Sequence, residues 1–251
     1  NSGTSAIITV TAYATLPGYN DSATVTRNFD FEASGNIVTI AGGSTGGNNS
    51  YAIQAELFSP RQVAVVEPDP IDHPDLHLFY FTEAGLNRVR AIDNNSRVQA
   101  FAGTGTAGST TDGTIAVNAT LSAPSGVCSD GVNTYIVDPV NNTVLQVDST
   151  GFIRTVCSTA NTNPSFHPRG ICFDANTSSL YIADAGNNCI RSASVSGTTV
   201  STASVIGGSF GYGILNPVAV CIDSSKTIFV VSDSENTVWR ILDGGTATEF
   251  I

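Results

Sequence analysis

Residues 168–207 read PRGICFDANTSSLYIADAGNNCIRSASVSGTTVSTASVIG. Four short runs in this stretch are rich in Val, Ile, Tyr and Phe: RGICFD, SLYIAD, CIRSAS and VSTASVIG. Turn residues part them, with NTS at 176–178, AGNN at 185–188 and SGT at 196–198. That pattern predicts four strands joined by tight turns. A single meander of this kind cannot bury its apolar faces alone, so it needs neighbours of the same kind.

The neighbours are in the chain. The first run recurs as PRQVAVVE at Pro60, PSGVCSD at Pro124 and PVAVCID at Pro217, so that successive prolines are 64, 44 and 49 residues apart. The second recurs as LFYFTE (78–83), TYIVD (134–138) and IFVVSD (228–233). The third recurs as NRVRAID (87–93), NTVLQVD (142–148) and NTVWRILD (236–243). The fourth recurs as VQAFAG (98–103), IRTVCS (153–158) and TATEFI (246–251). Four features in one order in four copies predict an all-β chain of propeller blades.

The Pro-x-x-[VI] inner strand and the Y-[IV]-x-D-x-x-N-x-x-[IV] segment resemble the NHL-repeat β-propeller family. The second motif is carried by Tyr181, Ile182, Asp184, Asn187 and Ile190, and by Tyr135, Ile136, Asp138, Asn141 and Val144. The Gly-rich connector at 102–127 is similar too, and the likeness spans residues 37–251. The resemblance implies a ring of blades, often closed by a blade built partly from the N-terminus. It leaves function open, because propellers host adhesion, scaffolding, ligand binding and some enzymes.

Residues 1–35 carry neither motif. AIITVTAY (6–13) and ATVTRNFDFE (23–32) read as strands, and IVTIAGG (37–43) matches a fourth strand. The expected organisation is an N-terminal strand segment over 1–35 and a propeller over 36–251. It amounts to about five four-stranded blades, one of them short of a strand. An incomplete blade exposes unpaired backbone groups, which a strand of another molecule can fill. The candidate donor is Ala6, Ile7, Ile8, Thr9, Val10, Thr11, Ala12 and Tyr13. Donor and slot are different surfaces, so such contacts build head-to-tail filaments; the alternative is that the segment folds back into its own ring.

Composition narrows the partners. Net charge is −11, and Lys226 is the only lysine, which argues against nucleic acid and anionic membrane. No apolar run is long enough for a membrane span. The opening NSGTSAIITV lacks the basic start and apolar core of a signal peptide, and without an initiating Met, Asn1 reads as a processed or truncated end. Sequons at Asn20, Asn48, Asn94, Asn118, Asn141 and Asn176 all fall in expected connectors. They point to an extracellular, N-glycosylated chain.

Three of the five cysteines, Cys128, Cys172 and Cys221, share the position four residues after the blade proline, where the first blade has Ala64. That position wants a small apolar residue. Cys157 and Cys189 end neighbouring strands on one side of the disc, which makes them the candidate disulfide. The segment EPDPIDHPDLH (67–77) gathers Glu67, Asp69, Asp72, His73, Asp75 and His77, but its prolines favour an extended, solvated loop over a metal site. The lyase branch of the resembling family uses zinc held by several histidines from different blades. This chain has three histidines, two of them on one loop, a poor match. Glu83, Asp138, Asp184 and Asp233 end equivalent strands, and their repetition suits a structural role. Trp239 reads as packing between blades. With no nucleophile elbow, P-loop or dinucleotide fingerprint, the expected function is a non-catalytic structural or interaction module without a cofactor, binding itself, other proteins or glycans. The alternative is a metal-dependent lyase or hydrolase with its site near the central channel.

Overall fold

The structure, a computed structural model, describes residues 8–12, 25–29, 40–42, 45–66, 79–159, 166–196, 199–200, 204–208, 214–242 and 247–250. The chain divides into two units, Asn1–Ile40 and Ala41–Ile251. In the first, β1 (Ile8–Ala12) pairs antiparallel with β2 (Val25–Phe29), Ile8 opposite Phe29 and Ala12 opposite Val25.

The second unit is a series of four-stranded antiparallel sheets. The first sheet is β3 (Pro60–Val65), β4 (Phe79–Glu83), β5 (Arg88–Ile92) and β6 (Val98–Ala102). The short β7 (Thr114–Ile115) joins the outer edge of the second sheet. That sheet is β8 (Gly126–Ser129), β9 (Thr134–Asp138), β10 (Thr143–Val147) and β11 (Phe152–Ser158). In the third sheet, β12 (Pro168–Asp174), β13 (Ser179–Asp184) and β14 (Cys189–Ser196) are followed by β15 (Thr199–Val200) and β16 (Ser204–Gly208), both paired with β14. The fourth is β17 (Pro217–Ile222), β18 (Ile228–Ser232), β19 (Thr237–Ile241) and β20 (Ala247–Glu249). These are the four meanders expected from the repeat.

Register explains the cysteine position. Ala64 lies opposite Tyr80, Cys128 opposite Tyr135, Cys172 opposite Tyr181, and Cys221 opposite Phe229. In every blade a small residue on the inner strand faces an aromatic ring on the second, so the pair fills a constant volume. The turn into the third strand is equally regular. Asn87, Asn142, Asn188 and Asn236 all have φ between 47° and 54°, a left-handed conformation that Asn tolerates better than other side-chain-bearing residues.

Blades stack face to face. Val89, Ala91 and Ala102 of the first pack on Leu121, Val127, Ile136 and Leu145 of the second. Tyr135, Val137 and Val144 of the second meet Phe166, Ile171, Leu180 and Ile182 of the third. Ala183 and Ile190 of the third meet Val220, Ile228 and Val230 of the fourth. Each buried aliphatic contributes about 1.5–3 kcal/mol, which is why no blade stands alone. Trp239 packs against the third of these cores, as expected.

The inner strands β3, β8, β12 and β17 run side by side. Gln62 spans them, its Nε2 donating to Val127 O at 3.1 Å and Ile171 O at 2.8 Å. At Gly170 a Cβ would lie 2.6 Å from Val218 O, so β12 and β17 approach more closely than a side chain allows.

One expectation is corrected. Residues 37–43 were expected to form a fourth strand, but 40–42 are bend and coil, with Gly42 N donating to Ala52 O at 2.9 Å; residues 37–39 lie outside the described residues. Of the expected donor strand, Ile8–Ala12 is hydrogen-bonded to β2 along one edge. Ala6, Ile7 and Tyr13 lie outside the described residues. Four blade sheets are present among the described residues.

Candidate functional site

Strand polarity puts two sets of loops at one end of the blades: those entering the inner strands, and the turns between second and third strands. Carboxylates staple this end together. Glu83 is fully buried and accepts from Phe58 N at 3.0 Å, Arg88 Nε at 2.8 Å and Arg90 Nη2 at 2.8 Å. Burial pulls the pKa of Arg90 down, and its bond to Glu83 pushes back. Asp184 accepts from His167 N at 2.9 Å, Asn187 Nδ2 at 2.8 Å and Arg191 Nε at 2.5 Å. The fourth blade has Trp239 at the position of Arg90 and Arg191, and the second has Leu145. There Asp138 accepts from Ser122 N at 2.9 Å and Asn141 Nδ2 at 2.8 Å. Burial raises its pKa, and these bonds only partly offset that. Each carboxylate thus holds both its own turn and the loop entering its inner strand. The expected fourth member, Asp233, is exposed. Glu235 replaces it, accepting from Ser232 Oγ, Trp239 Nε1 and Leu215 N.

The left-handed asparagines join blade to blade. Asn87 Oδ1 accepts from Ala123 N at 2.9 Å, and Asn188 Oδ1 from Asn216 N at 2.8 Å. With its amide oriented to suit its neighbours, Asn142 donates to Phe166 O at 3.2 Å. Asn87, Asn142 and Asn188 therefore each anchor the entry loop of the next blade.

Between these staples lies a cavity of about 210 Å³. Arg61, Ser125, Asn142, His167 and Arg169 are its polar lining, and Pro139 and Val140 form part of the wall. Arg61, Ser125 and Arg169 all directly follow a blade proline, so the repeat itself carries them to the same rim. Ser125 Oγ donates to Arg169 O at 2.5 Å. The His167 ring lies against Gly186, where a Cβ would come within 2.7 Å of it, and its backbone N–H is held by Asp184. The imidazole is exposed toward the cavity.

The other expected site residues are dispersed. Asn48, Asn94, Asn118 and Asn176 are exposed, and Asn20 lies outside the described residues. Asn141 is half-buried, its Nδ2 donating to Gly108 O and Asp138 Oδ2, both at 2.8 Å. Cys157 and Cys189 are buried free thiols, not the expected disulfide. Burial pushes Cys157 up to about 12 and Cys189 up to about 11, so neither is a thiolate at neutral pH. The acidic loop with His73 and His77 lies outside the described residues. Among the described residues no three His, Cys, Asp or Glu side chains converge, and His167 has no second imidazole beside it.

No family model and no curated protein matches the chain. Solved structures do. A nidogen/laminin complex aligns with a TM-score of 0.56 at 18% identity, over 79% of this chain and 65% of that one. A streptogramin B lyase aligns at 0.53 and 15% identity, over 76% of this chain and 54% of that one. A gluconolactonase from Xanthomonas campestris aligns at 0.51 and 16% identity, over 69% and 58%. The chain thus spans between half and two thirds of each. The expectation of a non-catalytic module, and of no enzyme, is corrected by this set, in which two of the three similar propellers are enzymes. No helix among the described residues is long and apolar enough to cross a membrane. At these identities the likeness speaks for architecture, and this chain is an all-β protein of the β-propeller fold.

Proposed function

We propose that the chain is a propeller enzyme, a lyase or hydrolase, acting on a small polar molecule in the cavity at the mouth of the inner strands. The observation that carries this reading is the convergence of His167, Ser125 and Asn142, from three distant segments, on one cavity of about 210 Å³. His167 is the proton-transfer group. Its backbone is fixed by Asp184 and its ring rests on Gly186, so the imidazole is positioned without being consumed by a structural bond. In hydrolysis of a cyclic ester, His167 takes a proton from water as the water oxygen attacks the carbonyl. The ring C–O bond then breaks, and the proton passes to the leaving oxygen. The similarity to a lyase and a gluconolactonase makes lactones the first substrates to try. The test is pH-stat titration of acid release from a lactone panel by wild type and His167→Ala. Turnover lost about 100-fold or more in the variant supports the reading, and equal rates in both refute it.

An extracellular setting is proposed alongside. Its support is that Asn48, Asn94 and Asn176 are exposed in turns, and Asn118 is exposed at the end of a short 3-10 helix. Glycosidase treatment of chain secreted from a eukaryotic host should shift its mass by those glycans, with Asn141 unmodified.

A further inference from the structure

We infer that the cavity takes an anion, and that the substrate or ligand bears a carboxylate recognised by Arg61 and Arg169. This deepens the enzyme reading by naming the chemistry of its ligand. The chain carries 21 acidic and 10 basic residues, so an uncompensated cation is unusual here. Most arginine side chains described are answered. Arg88 and Arg90 bind Glu83, and Arg191 binds Asp184. Arg154 donates to Gln146, Arg97 donates to Asn49 O and lies 4.5 Å over Tyr51, and Arg240 lies 5.9 Å from Phe250. Arg61 and Arg169 have no ion pair, side-chain hydrogen bond or ring contact among the described residues.

These two line the same cavity, and none of its lining residues is acidic. Their placement follows from the repeat. β8 lies between β3 and β12, so the post-proline positions put Arg61 and Arg169 on either side of Ser125. Two guanidinium groups around one hollow repel each other, and an oxyanion between them relieves that repulsion while accepting forked N–H donors. Asn142 and Ser125 add neutral polar groups to the same wall. Since the molecule as a whole repels anions at net charge −11, capture must come from this short-range pair and not from the overall field.

Calorimetric titration of the full chain tests this with succinate and with succinamide, its uncharged counterpart, at matched ionic strength. Succinate should bind and succinamide should not. Arg61→Ala and Arg169→Ala should each weaken succinate about tenfold or more, as expected for loss of a charge-assisted hydrogen bond. Arg61→Lys and Arg169→Lys should retain part of the affinity, and Arg97→Ala should leave it unchanged. Both arginines are exposed, so the variants should keep the wild-type melting temperature. Equal affinity for the two probes, no succinate binding, or binding indifferent to both alanine variants overturns the inference. Lactone turnover is scored separately. Succinate binding without turnover leaves the anion site standing and removes the enzyme reading, whereas turnover of neutral lactones with no succinate binding does the reverse.

Discussion

Two groups of arginines divide the molecule. At the outer clasps, Arg90 and Arg191 are buried and each faces a buried carboxylate, Glu83 or Asp184. At the rim of the inner strands, Arg61 and Arg169 are exposed and face a hollow with no carboxylate in its wall. The same side chain holds the architecture in one place and is free to hold something else in the other. Burial decides which: a buried guanidinium must be answered within the fold, whereas an exposed one can wait for a ligand.

That contrast can be broken at the clasps first. Glu83→Ala leaves Arg90 buried without its partner, and stability should fall by about 3–5 kcal/mol, read as a lower urea midpoint. If Glu83→Ala melts like wild type, the clasp is not structural. Arg61→Ala and Arg169→Ala should change the midpoint by less than about 0.5 kcal/mol, since neither supports the fold. Close approach of the inner strands is next. Gly170→Ala puts a methyl 2.6 Å from Val218 O and should cost about 1–3 kcal/mol. Removing a blade-to-blade anchor with Asn188→Ala deletes the bond to Asn216 N and a favourable left-handed residue. It should cost about 1–2 kcal/mol, with the fourth blade losing hydrogen-exchange protection first.

The second blade gives the smallest and most specific effect. Asp138 has no arginine and its pKa is raised, chiefly by burial. A carboxyl with a raised folded pKa binds its proton more tightly when folded than when unfolded. Its contribution is therefore fully present below the unfolded value and is lost as pH rises through the folded one. As pH rises above the ordinary carboxylate range, melting temperature should fall by a component that Asp138→Asn removes. An unchanged slope in the variant would show that the group is not perturbed.

The repeat was legible because spacing, strand composition and turn residues agreed in four copies, and the small-residue position turned out to face an aromatic ring in each. The carboxylates were legible as structural, but their partners were not. Ser122, Phe58 and His167 reach them from preceding loops, which no local pattern reveals. In the fourth blade the role moved from Asp233 to Glu235, a shift that strand-end alignment could not anticipate. The cavity was missed for a similar reason. Arg61, Ser125 and His167 are far apart in sequence, and only the stacking of the first three blades joins them. A trace was available: Pro-Arg recurs at Pro60 and Pro168, and comparing post-proline positions would have set two arginines at one rim. His167, the histidine outside the 67–77 loop, has cavity neighbours that come from the first and second blades.

The most direct test is a crystal structure of the chain grown with the hydroxy acid released from a lactone it hydrolyses or, failing turnover, with succinate. The account predicts a carboxylate between the Arg61 and Arg169 guanidiniums, with the ligand's far end within hydrogen-bond reach of the His167 imidazole. A ligand bound elsewhere, or an empty cavity at concentrations that saturate binding in solution, would contradict it.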